Sequence, residues 1–274
     1  MSARPTRFAA LAAAFATAAS IALPVATAAP AGAAARGGSL PPTALLGDGG
    51  TPVPLKNQAQ IVVSDWGLRY QAGQQDSNLT ITQDDDGRIR YVDTGTERWR
   101  ELPDECKRVT VSRGISAVCS IPEKFQDDDT MFLEVWPRLG NDRVDGSTIS
   151  SSFRLWVLAD AGRDSVITGH GDDFVNGAQD ADRVWGGSGD DWLRTGIGND
   201  RVSGGAGDDK VVGADDNDQL YGNTGNDHVY GGSGTDTLWS NDGDDSVSGG
   251  SGRDTAYAKR SDRVIQCESV RLSG

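Results

Sequence analysis

Aspartates recur every nine residues along a long stretch of the chain, and they are the residues whose spacing most clearly indicates chemistry. Residues 159–257 divide into eleven nonamers without insertion or deletion, as in GGAGDDKVV at 204–212. The sixth position of every nonamer is aspartate: Asp164, Asp173, Asp182, Asp191, Asp200, Asp209, Asp218, Asp227, Asp236, Asp245 and Asp254. Carboxylates are hard oxygen ligands, so a regular series of them indicates a cation such as Ca²⁺. No Cys/His cluster accompanies them, which argues against zinc.

The other constant positions of the nonamer concern the backbone and the core. The fourth position is glycine in nine nonamers, and the exceptions are Asp180 and Asp216. Because aspartate is among the few residues that tolerate a positive φ, we expect a left-handed backbone at both exceptions. The eighth position is Val or Leu in ten nonamers and alanine in the last, at Ala256.

The charge of the chain is concentrated in the same residues. The 274 residues include 40 acidic and 26 basic side chains, for a net charge of −14. Residues 159–257 hold 20 of the acids, all of them aspartate, and only 6 of the basic residues, so the rest of the chain is balanced. This charge argues against nucleic acid or an anionic membrane as the partner, since both are polyanions. Cations are the natural counterpart.

The elements that carry these aspartates are predicted to be short strands. A period of nine with one aliphatic residue cannot make an amphipathic helix, which needs apolar residues every three or four positions. The pattern favours a six-residue turn followed by a three-residue strand whose central side chain points inward. Two nonamers then make one coil, and parallel strands face each other across a thin core. So small a core, with carboxylates stacked along its edges, is expected to need a divalent cation.

These nonamers resemble the RTX, or haemolysin-type, calcium-binding repeat GGxGxDxUx. The resemblance implies an all-β fold, a parallel β-roll built as a right-handed two-sheet solenoid, preceded here by a strand-rich N-terminal region. It also implies calcium ions between the turns of alternate repeats, at most nine in all. One edge would stack Asp164, Asp182, Asp200, Asp218, Asp236 and Asp254, and the other Asp173, Asp191, Asp209, Asp227 and Asp245.

Turn carbonyls complete the calcium sites that the resemblance implies. The glycines expected to supply them are Gly169, Gly171, Gly187, Gly189, Gly205, Gly207, Gly225 and Gly243. All of these lie on the edge that begins with Asp173. That edge keeps glycine at every fourth position, whereas the other edge substitutes Asp180 and Asp216. We therefore expect the edge that begins with Asp173 to fill first and to bind calcium more tightly.

The chain divides into five predicted segments. Residues 1–28 combine a basic start, an apolar run and a small-x-small cleavage site, which is typical of a secretory signal peptide. A flexible linker (29–55), a β-rich capping domain (56–157), the roll (158–257) and a C-terminal cap (258–274) follow. The order of segments and the Asp-x-Val…Cys-Glu ending at 262–268 resemble exported actinobacterial calcium-binding proteins. We expect a secreted protein with no membrane span in its mature chain.

Export permits disulfides, and the chain has three cysteines. Cys106 and Cys119 lie 13 residues apart in one segment and are expected to pair. A bridge from either of them to Cys267 is left open by the sequence.

One row of aromatic residues admits two interpretations. Trp185, Tyr221, Trp239 and Tyr257 occupy outward ninth positions on one sheet. The first interpretation is that they pack under a flanking segment or stiffen the sheet. The second is a contact face for a cell-wall glycan or another exported protein.

The sequence contains no recognised catalytic motif, so we expect calcium binding without enzymatic activity. His170 and His228 are expected to face solvent, and the acidic clusters at 84–86 and 127–129 to be solvated turns. Two alternatives remain from the sequence. One is a calcium-stabilised surface adhesin or glycan-binding protein, and the other is an extracellular hydrolase or lyase on a solenoid scaffold.

Overall fold

The computed structural model describes residues 57–126 and 131–273, whose regular secondary structure is almost entirely β-strand. The predicted signal peptide, the linker and the acidic cluster at 127–129 lie outside the described residues. Within the described part of the chain, no helix is long and apolar enough to cross a membrane.

Seven strands and one short 3₁₀ helix make up the described residues before 127. They are β1 (Gln58–Val63), β2 (Gly67–Gln71), β3 (Asn78–Gln83), β4 (Ile89–Asp93), β5 (Arg98–Glu101), β6 (Cys106–Arg108), β7 (Ile115–Cys119) and the 3₁₀ helix Glu123–Phe125.

Sixteen strands follow between residues 131 and 273. They are β8 (Phe132–Trp136), β9 (Arg143–Asp145), β10 (Arg154–Leu158), β11 (Ser165–Ile167), β12 (Phe174–Gln179), β13 (Arg183–Ser188), β14 (Trp192–Ile197), β15 (Arg201–Ala206), β16 (Lys210–Asp215), β17 (Gln219–Thr224), β18 (His228–Gly234), β19 (Thr237–Asp242), β20 (Ser246–Gly252), β21 (Thr255–Lys259), β22 (Arg263–Ile265) and β23 (Ser269–Ser273).

These sixteen strands wind into a parallel β-solenoid of about eight turns, which confirms the predicted fold. Even-numbered strands from β8 to β22 form one sheet and odd-numbered strands from β9 to β23 form the other. From β11 to β20, each strand pairs in parallel with the strand two positions later. Val184 lies opposite Val202, and Leu220 lies opposite Leu238, so equivalent residues stand 18 apart. Each coil therefore contains two nonamers, as the period predicts.

The core of the roll consists of the eighth-position side chains. Every one of them, from Val166 to Ala256, is at most 1% exposed. The two sheets face each other across this single layer, because the flanking side chains of each strand point outward. Burial of one aliphatic side chain per nonamer gives the roll its register but only a thin apolar core.

The strands of the repeats are longer than expected, so the prediction of three-residue strands was wrong. Most repeat strands cover six or seven residues, from the seventh position through the third position of the next nonamer. Positions two and three also pair with their equivalents one coil away, as in Gly187 with Gly205 and Ser188 with Ala206. At the start of this second paired stretch, Gly205 takes a φ of 129° that only glycine adopts without strain.

Backbone conformation explains the two departures from glycine at the fourth position. Asp180 and Asp216 have φ values of 70° and 76°, which confirms the left-handed conformation expected there. Ala178 and Ala214, also in place of glycine, are likewise left-handed, with φ values of 78° and 104°. The edge that contains these four residues keeps the turn geometry with side chains that do not favour it.

The N-terminal strands continue both sheets of the solenoid. β2 pairs in parallel with β8, and β3 pairs in parallel with β9. Beyond β2, β1 pairs antiparallel with β2 and parallel with β5. Beyond β3, the strands β4, β7 and β6 follow with antiparallel pairing. A larger core fills this end, where Tyr70 and Tyr91 are fully buried and stacked with their ring centroids 6.1 Å apart.

A disulfide joins the last two strands of this N-terminal region. Cys106 and Cys119 lie directly opposite each other on β6 and β7 and are bonded. Cys267 is unpaired and partly buried near the C-terminus. The bridge therefore closes a short antiparallel hairpin and leaves the roll without a covalent cross-link among the described residues.

Candidate metal centre

The sixth-position aspartates form two rows of hydrogen-bonded carboxylates, one along each edge of the roll. In nine of the eleven, from Asp164 to Asp236, the backbone N–H donates to Oδ1 of the aspartate 18 residues later. Asp182 donates to Asp200 at 2.8 Å on one edge, and Asp191 donates to Asp209 at 2.9 Å on the other. All eleven side chains are at most 3% exposed. Consecutive coils are thus linked through the carboxylates that the sequence singled out.

The second carboxylate oxygen, Oδ2, differs from Oδ1 in its hydrogen bonding. Oδ2 of Asp173 accepts a hydrogen bond from the N–H of Gly169 at 2.9 Å. In the other ten aspartates, Oδ2 is buried and has no hydrogen-bond donor. Those ten are Asp164, Asp182, Asp191, Asp200, Asp209, Asp218, Asp227, Asp236, Asp245 and Asp254. Buried polar atoms are normally paired, so ten unpaired oxygens in equivalent positions call for a ligand.

In seven nonamers, Oδ2 faces the glycine at the first position of its own nonamer, a position that sequence reasoning missed. A Cβ atom on Gly186 would overlap both Oδ2 of Asp191 and the carbonyl oxygen of Gly204 in the next coil. The same holds at Gly177, Gly204, Gly213, Gly222, Gly231 and Gly249, each with its own aspartate and the next coil's carbonyl. A carboxylate oxygen and a carbonyl oxygen therefore face the same small volume in coil after coil. The signal in the sequence was that every first position is Gly, Ala, Ser or Thr.

Burial in these rows disfavours the charged form of the carboxylates. Burial, together with the negative charges of neighbouring coils, raises the pKa of Asp164 and Asp218 to about 8 despite the donated backbone hydrogen bonds. The pKa of Asp209 is raised to about 7 for the same reasons. A carboxylate that is costly to ionise without a counter-charge is a strong ligand once a cation supplies that charge.

The oxygen atoms along these rows suit a hard cation, which prefers oxygen ligands. Among residues 57–126 and 131–273, no three His, Cys, Asp or Glu side chains converge on one point. Carbonyl oxygens must therefore complete any site, as at Gly186 and Asp191. A mixed set of carboxylates and carbonyls with irregular geometry suits Ca²⁺ better than Mg²⁺, which demands a regular octahedron.

The glycines predicted to supply turn carbonyls stack directly on one another along one edge. The carbonyl of Gly169 lies beneath Gly187, and the carbonyl of Gly171 lies beneath Gly189, so closely that neither upper residue has room for a Cβ. The carbonyl of Gly169 also accepts a hydrogen bond from the N–H of Ser188 at 3.1 Å. Gly205 continues the stack of Gly169 and Gly187, and Gly207, Gly225 and Gly243 continue the stack of Gly171 and Gly189.

A second, exposed row of side chains runs beside the buried one. Oδ1 of Asp172 accepts a hydrogen bond from the N–H of Asp190 at 3.1 Å, and Asp190 in turn accepts from Asp208 at 2.9 Å. Asn199 and Asn217 make the equivalent 3.2 Å bond on the opposite edge. The edge that begins with Asp173 therefore has the greater negative charge next to its buried row.

The carboxylate rows do not end with the repeats. At the N-terminal side, Asp142 accepts from Ser77 at 2.6 Å, and its own N–H donates to Asp164. At the C-terminal side, Asp254 donates to Oε2 of Glu268 at 2.6 Å, and Asp245 donates to Oδ1 of Asp262 at 3.3 Å. Side chains from outside the nonamers thus continue the rows at both ends.

Three of the four predicted aromatic residues stack face to face. The ring centroids of Tyr221 and Trp239 are 4.3 Å apart, and those of Trp239 and Tyr257 are 5.3 Å apart, with nearly parallel planes. The guanidinium groups of Arg201 and Arg271 lie 5.0 and 5.3 Å from the terminal rings. Because the ring faces cover one another, this geometry favours the interpretation that the row stiffens the sheet.

The other residues singled out in the sequence lie apart from the carboxylate rows. Trp185 is separated from the aromatic stack by Ser203, which occupies the intervening ninth position. His170 and His228 are exposed. In the cluster at 84–86, Asp84 and Asp86 pair with Arg88 in an exposed turn.

Parallel coils with repeated glycine turns and rows of buried carboxylates define the described part of the chain as a β-solenoid. Residues 156–184, 185–220 and 221–256 match the RTX calcium-binding nonapeptide repeat (4 copies). The roll is therefore built from RTX calcium-binding repeats, a repeat family that is generally non-catalytic. Neither the curated proteins nor the solved structures include a match to this chain.

Proposed function

We propose that this protein is an exported calcium-binding protein whose roll folds when its aspartate rows bind calcium. The observation that carries the proposal is the set of ten buried Oδ2 atoms that have no donor. A divalent cation would satisfy these oxygens and neutralise the repulsion between coils, neither of which the neighbouring side chains achieve.

The ligands of each ion would come from two coils. Sixth-position carboxylates such as Asp191 supply charge, and first-position carbonyls such as that of Gly204 face the same volume. The stacked carbonyls of Gly187 and Gly189 belong to the same edge and are further candidates. Calcium, when bound, supplies positive charge and cross-links the coils, and at most nine ions fit between the stacked turns.

Folding and calcium binding should be coupled, because the thin core gives little other stabilisation. Ions that bind only the folded roll stabilise it by mass action, and extracellular modules typically have dissociation constants of about 10⁻⁴–10⁻³ M. Circular dichroism of the purified protein tests this: we expect β-structure in calcium and its loss in EDTA. Full β-structure with an unchanged melting temperature after metal removal would contradict the proposal.

The two edges should differ in affinity. The edge containing Asp209 has glycine at every fourth position and an additional exposed carboxylate row, whereas the edge containing Asp200 carries left-handed Ala and Asp residues. Asp209→Ala and Asp200→Ala form a matched pair for calorimetric calcium titration. We expect Asp209→Ala to remove the tighter sites, and an equal loss in both variants would contradict the difference between edges.

Export to a calcium-rich compartment fits this chemistry. The predicted signal peptide at 1–28 and the Cys106–Cys119 disulfide both favour an oxidising, extracellular location. Fractionation of producing cells tests this proposal, and we expect the protein in the medium with its N-terminus near residue 29. Retention of the intact chain inside the cell would contradict it.

A further inference from the structure

The turn at 139–142 lies outside the matched repeats, yet it makes the same hydrogen bonds as a repeat turn. The N–H of Gly140 donates to Ala161 O at 3.1 Å, as the N–H of Gly189 donates to Ala206 O at 2.8 Å. The N–H of Asp142 donates to Oδ1 of Asp164 at 2.8 Å, which is the bond that links successive sixth-position aspartates. Asp142 therefore occupies a sixth position in a coil that the repeat pattern does not include.

The backbone around Asp142 is stacked as closely as in the repeats. Gly140 and Gly162 have φ values of 135° and 131°, and a Cβ on Gly162 would overlap the carbonyl of Gly140. Asn141 accepts from the N–H of Arg163 at 3.0 Å and reproduces the fifth-position bond between Asn199 and Asn217.

The carboxylate of Asp142 also has the unpaired oxygen that marks the repeat aspartates. Its side chain is 3% exposed, Oδ1 accepts from the N–H of Ser77 at 2.6 Å, and Oδ2 has no donor. Oδ2 of Asp164, on the next coil, is unpaired as well.

A second buried carboxylate nearby shows how this protein satisfies a purely structural aspartate. Asp93 is fully buried and accepts from the N–H groups of Asn78 and Gly95 at 2.8 Å and from the hydroxyls of Tyr70 and Thr96. Both of its oxygens are thereby paired, whereas Oδ2 of Asp142 is not. The carboxylate of Asp93 is therefore satisfied by protein groups alone, whereas Oδ2 of Asp142 has an open position for a ligand.

We propose that Asp142 and Asp164 bind an additional divalent cation, calcium, between the coil at 139–145 and the first repeat. This inference rests on the proposed calcium binding by the roll and extends it to Asp142, which no repeat match covers. The carbonyl of Gly140 and the nearby negative charge of Asp76 favour the same oxygen-liganded cation. Because Asp142 also accepts from Ser77, such an ion would link calcium binding to the N-terminal strands.

Hydrogen exchange on the full mature protein, with CaCl₂ or EDTA, tests this site. Asp142→Asn keeps the Oδ1 acceptor for Ser77 and replaces only the unpaired oxygen. We expect calcium-dependent protection of residues 75–78 and 139–145 to be lost in this variant while residues 200–250 remain protected. Asp85→Asn, which removes one exposed charge, should behave as wild type. Unchanged protection at 139–145 in Asp142→Asn overturns the inference.

Two further measurements separate this inference from the proposed function. Asp200→Asn should lose protection within the roll, and absence of any calcium effect in wild type would reject both proposals together. Anomalous diffraction from calcium-soaked wild-type crystals does not depend on how a variant folds. Density between Asp142 and Asp164 would support the additional site, whereas density in the repeats alone would overturn it.

Discussion

The backbone N–H of Asp191 donates to Oδ1 of Asp209, 2.9 Å away in the next coil, while Oδ2 of Asp209 is buried without a donor. One carboxylate thus has two roles. Oδ1 holds the spacing between coils in the absence of metal, and Oδ2 remains for a ligand. Because both atoms belong to one rigid group, a ligand on Oδ2 is positioned by the same hydrogen bond that sets the coil spacing.

Stability of the calcium-free roll should increase as the pH falls from 8 to 5. Burial raises the pKa of Asp164 and Asp218 to about 8 and that of Asp227 and Asp236 to about 6, above their unfolded values. Stability from such groups is fully present at low pH and is lost as the pH rises through these values. Circular dichroism in EDTA should therefore show more β-structure at pH 5 than at pH 8.

Calcium binding should also release protons if these aspartates are the ligands, because the metal binds their ionised form. Calorimetric titrations at pH 7 in two buffers of different ionisation enthalpy measure that release. Equal heats in both buffers, together with β-structure that does not depend on pH in EDTA, would contradict the assignment of the rows.

A methyl group at the first position should displace the carboxylate. Gly204 has no positive φ, so Gly204→Ala causes no backbone strain, but its Cβ would overlap Oδ2 of Asp209 and the carbonyl of Gly222. We expect a loss of about 1–3 kcal/mol in stability, typical of overpacking, and weaker calcium binding. Thr195→Ala is the matched control because that first position already has a Cβ, and its loss should be about 1 kcal/mol. Equal calcium affinities for the two variants would show that the first position does not border the site.

The sequence predicted the coil but not the whole site, and the reason lies in the spacing of particular residues. Val184, Val202 and Leu220 repeat every 18 residues, so their pattern determines the parallel register and the solenoid fold. The positive φ of Asp180 also followed from its residue type. Each of these predictions depends on a position that keeps its phase along the chain.

The remaining site residues are not spaced by the 18 residues that separate equivalent positions of the repeats. Asp142 precedes its partner Asp164 by 22 residues, and Asp245 and Asp254 precede Asp262 and Glu268 by 17 and 14. No nonapeptide period connects residues at those separations. The sequence at 139–144 resembles one degenerate repeat out of phase with the others. The folded backbone shows in addition that longer and shorter connections bring these residues onto the same two rows.

Removal of Trp239 should weaken the roll without affecting a ligand. The ring lies between Tyr221 and Tyr257 in a stack whose ends are covered by Arg201 and Arg271. We expect Trp239→Ala to cost about 1–2 kcal/mol in calcium-loaded protein, from lost stacking and apolar contact. Thermal unfolding measures the loss, and Tyr230→Ala, at an exposed ninth position of the other sheet, should have a smaller effect. Specific glycan binding by wild type that Trp239→Ala abolishes would instead favour a contact face.

The C-terminal carboxylates should hold the last coils closed. Burial alone would raise the pKa of Asp262, but hydrogen bonds from the hydroxyl of Ser240 and from the N–H groups of Lys259 and Asp245 lower it overall. A hydrogen bond to a charged group contributes about 1.5–3 kcal/mol, and Asp262→Asn would turn an amide donor towards at least one of these donors. We expect faster hydrogen exchange in the strands β20 to β23, with protection at residues 160–200 unchanged. Asp244→Asn removes an exposed carboxylate from the same end of the roll and should leave exchange as in wild type. Uniform loss of protection along the whole roll in Asp262→Asn would mean that this end controls global folding instead of closing its own coils.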